Sequence, residues 1–89
     1  MSLRDNAAGH RYEFDAPEGM SFADYRDIGG VRVIMHVETP VAARGRGYAS
    51  KLMADVVEEA RGNGRRLRAS CAFAVAYFKR HPDTADVQA

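Results

Sequence analysis

The chain alternates apolar and polar residues most regularly between Val31 and Thr39, which predicts a β-strand. Its two faces would carry Val31, Val33, Met35 and Val37 on one side and Arg32, Ile34, His36 and Glu38 on the other. His36 and Glu38 are therefore expected to point the same way. Pro40 has no N–H to donate to a sheet, so it is expected to end the strand.

Two weaker strand patterns precede this one, at residues 10–14 and 21–27. Residues 16–19 (Ala-Pro-Glu-Gly) supply turn chemistry between them, and Ile28-Gly29-Gly30 predicts the tip of the next hairpin. Residues 1–9 are polar and show no periodicity, so they are predicted to be a flexible N-terminus ahead of a single domain at residues 10–89.

Residues 47–61 predict a long amphipathic helix. Its apolar residues recur with the spacing of one buried stripe: Ala49, Leu52, Met53, Val56, Val57 and Ala60. Gly62-Asn63-Gly64 favours a left-handed stop at the end of this helix.

After this helix, the pattern predicts a fourth strand over 65–71 and a shorter helix over 72–80, closed by His81-Pro82. The tail has room for a short strand at 85–87. A strand, a helix and a strand at this spacing form a crossover, so the strands at 31–39 and 65–71 are expected to be parallel neighbours. The predicted fold class is α+β, with antiparallel N-terminal strands followed by a β-α-β crossover and a short second helix.

Length and composition restrict the function classes. Eighty-nine residues, 46% of them hydrophobic, make one domain. The lone Cys71 cannot form an internal disulfide, and no apolar run approaches the roughly 20 residues of a membrane span, so a cytoplasmic protein without a membrane partner is expected. The net charge of +1 argues against general nucleic-acid binding, although eleven of the thirteen basic residues are arginine.

The segment Arg44-Gly45-Arg46-Gly47-Tyr48-Ala49 stands between the strand at 31–39 and the long helix. Glycines allow a tight turn, and the free N–H groups and dipole of a helix N-terminus favour an anion such as a phosphate. A P-loop would require a Lys-Ser/Thr pair after the last glycine, which is absent here, so nucleoside triphosphate hydrolysis is disfavoured. The alternative for such a loop is a solvated surface corner.

Three separated motifs resemble the GNAT superfamily of acetyl-CoA-dependent N-acetyltransferases, and more closely a small single-domain subgroup of it. The superfamily loop is Gln/Arg-x-x-Gly-x-Gly/Ala, which Arg44, Gly47 and Ala49 match. A His-x-Glu-x-Pro strand end precedes the loop, and a Cys-x-Phe-x-x-x-Tyr-x-x-x-His-Pro segment follows the helix. The residues that match these two motifs are His36, Glu38, Pro40, Cys71, Phe73, Tyr77, His81 and Pro82. The resemblance covers about residues 10–87.

The resemblance implies a truncated GNAT-like mixed sheet and an acetyl-CoA-binding domain at 10–89. The coenzyme's pyrophosphate would lie on the backbone of residues 44–49, which we call the glycine loop. Its pantetheine arm would lie between the strands at 31–39 and 65–71. The residues expected to bind the coenzyme are Val37, Thr39, Arg44, Gly45, Arg46, Gly47, Tyr48, Ala49, Ser50, Cys71, Tyr77, Phe78 and His81. The acceptor implied by the resemblance is an amine of a small molecule or a protein. The chain has no room for the two N-terminal helices that in the superfamily usually help to enclose this acceptor.

Amide formation from a thioester needs a neutral amine, a route for its proton, and protonation of the departing thiolate. The candidate catalytic residues are His36, Glu38, Cys71 and Tyr77. Imidazole titrates near neutral pH, so His36 is a candidate base that Glu38 could orient or replace. The structural alternative is that His36 packs at a strand end while Glu38 pairs with Arg44 or Arg46.

The residues of the second helix also have two interpretations. In the superfamily, Tyr77 would protonate the sulfur of the coenzyme, whereas helical spacing alone makes it a core aromatic residue. Cys71 either lines the site or, activated by the helix N-terminus, accepts the acetyl group transiently. His81 is expected to cap the C-terminal end of the helix, with adenine or phosphate contact as the minor option.

The leading hypothesis is an N-acetyltransferase that acts by direct attack of an amine on acetyl-CoA. The alternatives are a weakly catalytic or non-catalytic CoA-binding module, and a nucleic-acid module that uses the arginines at 44–46 and 65–68. No metal is expected, because one cysteine and three dispersed histidines lack ligand spacing. A monomer is compatible with the sequence.

Overall fold

The computed structural model describes residues 3–89, which form a five-stranded mixed sheet with two α-helices. The strands are β1 (Leu3–Asn6), β2 (Arg11–Ala16), β3 (Gly19–Ile28), β4 (Val31–Glu38) and β5 (Arg66–Ala69), and the helices are α1 (Tyr48–Asn63) and α2 (Ala72–Arg80). Strands lie in chain order; β1 to β4 are antiparallel, and β4 and β5 are parallel. The predicted α+β class and the β4-α1-β5 crossover are confirmed.

The prediction of a flexible N-terminus over 1–9 is wrong for Leu3–Asn6, which pair with β2 as an edge strand. Met1 and Ser2 lie outside the described residues. Polar side chains occupy both faces of β1 because each finds a charged or hydroxyl partner. Arg4 bonds Glu13, and Asp5 accepts from the hydroxyl of Tyr25. A strand held by such pairs shows no hydrophobic alternation, which explains why periodicity missed it.

Both helices cover the same face of the sheet. The buried stripe of α1 is confirmed at Leu52, Met53, Val56, Val57 and Ala60. Ala74, Tyr77 and Phe78 of α2 join the same apolar cluster. Within residues 3–89 the other face carries no helix, and we call it the open face. No helix in this part of the chain is long and apolar enough to cross a bilayer.

A β-bulge in β4 changes which side chains share a face. Ala23 is opposite Val37 and Tyr25 is opposite Ile34, so Met35 and His36 together face a single residue, Asp24. Ile34 and Val37 consequently both pack on the core, although simple alternation placed them on opposite faces. The predicted alternation is wrong beyond Ile34, but its expectation that His36 and Glu38 share a face is confirmed, because the bulge precedes both residues.

The chain end also differs from its prediction. In place of a strand at 85–87, Pro82–Val87 form a 3-10 helix, which begins with the hydrogen bond from the Thr84 amide to the His81 carbonyl. Proline at the first position of this turn favours a helical start. Only Gln88 bridges to Leu67 of β5, and the amide of Ala89 donates to the Leu67 carbonyl at 2.8 Å.

Glu13 on the open face is 7% exposed and accepts hydrogen bonds from Asn6, Arg11 and Arg4. These donors, led by Asn6 and Arg11, hold the pKa of Glu13 at about 2, below its ordinary value of 4.5. The ionised Glu13 therefore stabilises the folded state fully above its unfolded-state pKa of 4.5, and this contribution is lost as pH falls towards about 2. We expect the thermal unfolding midpoint to fall on acidification, and to fall less in Glu13→Gln.

Thermal unfolding followed by circular dichroism at neutral pH and at about pH 3 measures this difference. Glu58→Gln is the matched control, because Glu58 is an exposed carboxylate on α1. Equal acid sensitivity of Glu13→Gln and the parent chain would contradict the assignment.

Candidate active site

A cleft of about 320 Å³ lies where the end of β4 meets the beginning of α1. Nine of the predicted site residues line it: Val37, Glu38, Thr39, Arg44, Gly45, Gly47, Tyr48, Ala49 and Ser50. Ala43 and Phe73 also line the cleft, and neither was predicted to bind the coenzyme. Phe73 lies one helical turn before Tyr77 on α2, so helical spacing could have identified it.

The glycine loop leaves the first turn of α1 uncapped by any side chain. Gly45 and Gly47 have φ values of 81° and 78°, which residues with a Cβ adopt only with strain. Gly47 occupies the N-cap position, where a serine or aspartate side chain would otherwise bond the first amides. The amides of Tyr48, Ala49 and Ser50 at the edge of the cleft can therefore donate hydrogen bonds to an anionic ligand.

Carboxylates hold both arginines of the loop. Arg44 donates to Glu38 and to the Thr39 carbonyl, each at 3.2 Å, and Arg46 lies 3.0 Å from Glu18. Arg46 does not itself line the cleft. Glu18 also accepts from the Tyr48 hydroxyl at 2.8 Å, and this bond is the main cause that lowers the pKa of Glu18. Glu18 lies in the β2–β3 turn, and no local sequence signal connects that turn with α1.

His36 and Glu38 are in contact on the open face, with 2.8 Å between His36 Nε2 and Glu38 Oε2. The His36 side chain is 54% exposed. The contact with His36, followed by that with Arg44, lowers the pKa of Glu38, so this carboxylate is ionised at neutral pH. An ionised carboxylate only accepts hydrogen bonds, so Nε2 carries the hydrogen and Nδ1 of a neutral imidazole is free to accept a proton.

The remaining predicted residues lie outside this cleft, on α2 and at its ends. Cys71 is the N-cap of α2, and its sulfur accepts from the Ala74 amide at 3.4 Å. Tyr77 is 4% exposed, and its ring stacks on His81 with 4.0 Å between centroids. Burial is the main cause that raises the pKa of Tyr77. Phe78 lines a second cavity, beside β5.

His81 caps the end of α2, with Nδ1 donating to the Tyr77 carbonyl at 2.8 Å. This contact agrees with the capping role that the sequence favours. Among residues 3–89, the structure therefore brings together the loop, His36 and Glu38, but not Cys71, Tyr77, Phe78 and His81 with them. The catalytic and coenzyme-binding roles of these four residues stay predictions.

The parallel strands β4 and β5 separate next to the bulge. Their register runs from Val31–Arg66 to Ile34–Ala69, and the Ser70 amide donates to the Ile34 carbonyl at 2.9 Å. Beyond this point β4 continues to Glu38, whereas the segment that follows β5 turns into α2 at Ala72. A gap therefore opens between the strands on the side where the cleft lies.

Comparisons with known proteins identify the family and the fold. The family model described as GCN5-related N-acetyl-transferase matches residues 11–87. The NMR solution structure of a GCN5-like protein from Staphylococcus aureus has the same fold, with a TM-score of 0.69 and 24% identity over 99% of this chain and 87% of that one. The comparison with curated proteins finds no match. Because the family model spans nearly the whole fold, the chain belongs to the GCN5-related N-acetyltransferase family.

Proposed function

We propose that this protein transfers the acetyl group of acetyl-CoA to an amine by direct attack. The observation that carries the proposal is the separation of β4 and β5 beyond Ile34, since the unpaired end of β4 lines the same cleft as the uncapped first turn of α1. A diphosphate on the amides of Tyr48 to Ser50 would direct the attached pantetheine into the gap. The thioester would then reach the bulge, beside His36.

The proposed reaction forms one C–N bond and breaks one C–S bond. The amine attacks the thioester carbonyl, and Nδ1 of His36 accepts the amine proton, directly or through water. Glu38 holds the imidazole in the required tautomer through Nε2. Backbone N–H groups at the end of β4 that have no strand partner are the candidate donors to the oxyanion. Collapse of the intermediate releases the amide and the coenzyme A thiolate.

Protonation of the thiolate is the role proposed for Tyr77. The hydroxyl is protonated at neutral pH, because the ordinary pKa of a phenol, 10, lies well above it and burial raises the pKa of Tyr77 further. Cys71 is proposed to line the far side of the gap rather than to form an acetyl-enzyme, because its sulfur already caps α2. Direct transfer needs no covalent intermediate.

Calorimetric titration with acetyl-CoA, followed by an assay for thiol release with a panel of amines, tests the proposal. Binding together with amine-dependent release of free thiol is expected. Binding without thiol release across the panel would favour a CoA-binding module, and absence of binding would refute both functions.

Ala49→Glu is expected to weaken acetyl-CoA binding at least about tenfold, because the new carboxylate would lie next to the diphosphate and repel it. Ala49 lines the cleft in the first turn of α1, where an acidic residue stabilises the helix dipole, so folding is expected to be retained. Calorimetry on the variant measures the loss.

The matched control is Ala54→Glu, which places the same charge on an exposed position of α1 away from this cleft. Equal affinity of Ala49→Glu and Ala54→Glu for acetyl-CoA would contradict the placement of the diphosphate.

A further inference from the structure

The open face carries a carboxylate directly beside the proposed base. Asp24 of β3 is the cross-strand partner of His36, and directly opposed side chains lie on the same face about 5 Å apart at Cβ. Asp24 is half-buried and forms no ion pair among residues 3–89. An ammonium group that approaches His36 from the open face would therefore meet an available carboxylate.

Two arginines lie further along the same face. Arg26 of β3 is opposite Val33, and Val33 is opposite Arg68 of β5, so the two arginines flank Val33 in one row across three strands. Both are exposed, and within the part of the chain that the structure describes neither forms an ion pair. Arg4 pairs with Asp15 as well as Glu13, and Arg11, which is opposite Asp24 on β2, pairs with Glu13. Arg66, two positions before Arg68, is also exposed on this face and donates to the Gln88 carbonyl.

An exposed apolar side chain separates Asp24 from the pair Arg26 and Arg68, and we call these two charged groups the ends of the surface. Met35, the extra residue of the bulge, lies between the row of Asp24 and the row of Arg26, and it is 41% exposed. Asp24 and Arg26 are two positions apart on β3, which is about 7 Å along a strand. A ligand that spans both ends would carry a cation and an anion joined by an apolar stretch of about this length.

We propose that the acceptor is the amine of a protein or peptide that carries an acidic side chain about 7–10 Å from the reacting nitrogen. This inference rests on the proposed function. Asp24 would bind the amine as ammonium, which first loses one proton to solvent; His36 then accepts the second proton as the C–N bond forms. Arg26 and Arg68 would bind the acidic side chain. In an extended peptide, residues two apart project to the same side at this spacing, so a Lys-x-Glu segment fits.

The shape of the face favours a macromolecular acceptor. Sites for small molecules are concave and bury most of the ligand, whereas this face is a sheet surface that no helix of residues 3–89 covers. Arginines and a methionine on an exposed sheet are typical of a protein-binding surface. Arginine also pairs with a carboxylate through two parallel hydrogen bonds, which gives such binding its specificity.

Three blocked peptides that contain a single lysine amine test the inference, with glutamate, glutamine or arginine two residues after the lysine. Thiol release from acetyl-CoA is measured for each peptide with the full-length protein. The expected kcat/KM for the glutamate peptide exceeds that for the glutamine peptide about tenfold, as for a hydrogen bond to a charged group. The difference is expected to shrink at about 0.5 M salt, because ions screen exposed charges.

A charge reversal provides the decisive variant. The double variant Arg26→Glu with Arg68→Glu is expected to prefer the arginine peptide, and such a gain cannot result from misfolding. Lys79→Glu with Arg80→Glu is the matched control, since it makes the same charge change on α2, and it is expected to keep the preference for glutamate.

Equal turnover of the glutamate and glutamine peptides, or an unchanged preference in the Arg26/Arg68 variant, would overturn the inference. Turnover of small amines without turnover of any peptide would also overturn it while leaving the proposed acetyltransfer intact. Failure of the protein to bind acetyl-CoA would instead refute the proposed function itself.

Discussion

His36→Ala is expected to lower kcat/KM for amine acetylation by about 10²- to 10⁴-fold, the usual contribution of a positioned general base. The imidazole lies on the open face next to the gap between β4 and β5, and its Nδ1 can accept a proton. Acetyl-CoA affinity is expected to stay unchanged, because His36 does not line the cleft. Thiol release and calorimetry on the same preparation separate the two effects.

His10→Asn is the matched control for this experiment. His10 is exposed and adopts a left-handed backbone conformation that asparagine tolerates, so an imidazole is removed without backbone strain. It is expected to retain full activity. If His36→Ala also kept full turnover, the base would be Glu38 or water, and the role given to His36 would be wrong.

Arg32→Met is expected to lower the free energy of unfolding by about 3 kcal/mol, a large share of the 5–15 kcal/mol of a typical domain. Arg32 is 7% exposed and donates twice to Asp27, at 2.7 and 2.9 Å. It also donates to Asp5 and to the Tyr12 hydroxyl, and its guanidinium lies 3.8 Å from the centre of the Tyr25 ring. Removal of the charge would leave these carboxylates without their partner.

The expected cost lies at the lower end of the range for breaking a buried ion pair, because the Asp27 side chain is 55% exposed and can turn to water. Urea unfolding measures it. Arg32→Lys should fall between the parent and Arg32→Met, since an ammonium keeps the charge but not the planar donor geometry. Arg66→Met removes an exposed arginine and should change stability by less than about 0.5 kcal/mol.

Equal unfolding midpoints for Arg32→Met and the parent would contradict the prediction. They would mean that the apolar contacts of methionine offset the loss of the ion pairs, as occurs in some buried pairs.

Hydrophobic periodicity and turn residues predicted those parts of the fold that depend on residues close together in sequence. The stripe from Leu52 to Ala60 and the glycine loop each lie within one continuous segment, so period and turn chemistry identified α1 and its uncapped beginning. The expectation that His36 and Glu38 share a face also needs only two neighbouring positions. These features are enough to locate the cleft.

The parts that were missed depend on partners distant in sequence. β1 is held by Asp5 and Arg4, whose partners lie in other strands, so its polar residues gave no strand signal. The bulge at Met35 exists only relative to β3, and alternation within β4 cannot reveal it. Glu18 reaches the loop across 30 positions of sequence to Tyr48, and only the folded chain brings them together.

The bulge in β4 sets the phase of the strand end. In an unbroken strand that kept Met35, alternation from Ile34 would turn His36 and Glu38 towards the helices and Val37 away from them. Because the bulge accommodates Met35 opposite Asp24, Ile34 and His36 lie opposite the consecutive residues Tyr25 and Asp24. A chain without Met35 is therefore expected to form a regular ladder with the same faces, so the bulge lets β4 carry one additional residue without exchanging its interior for its surface.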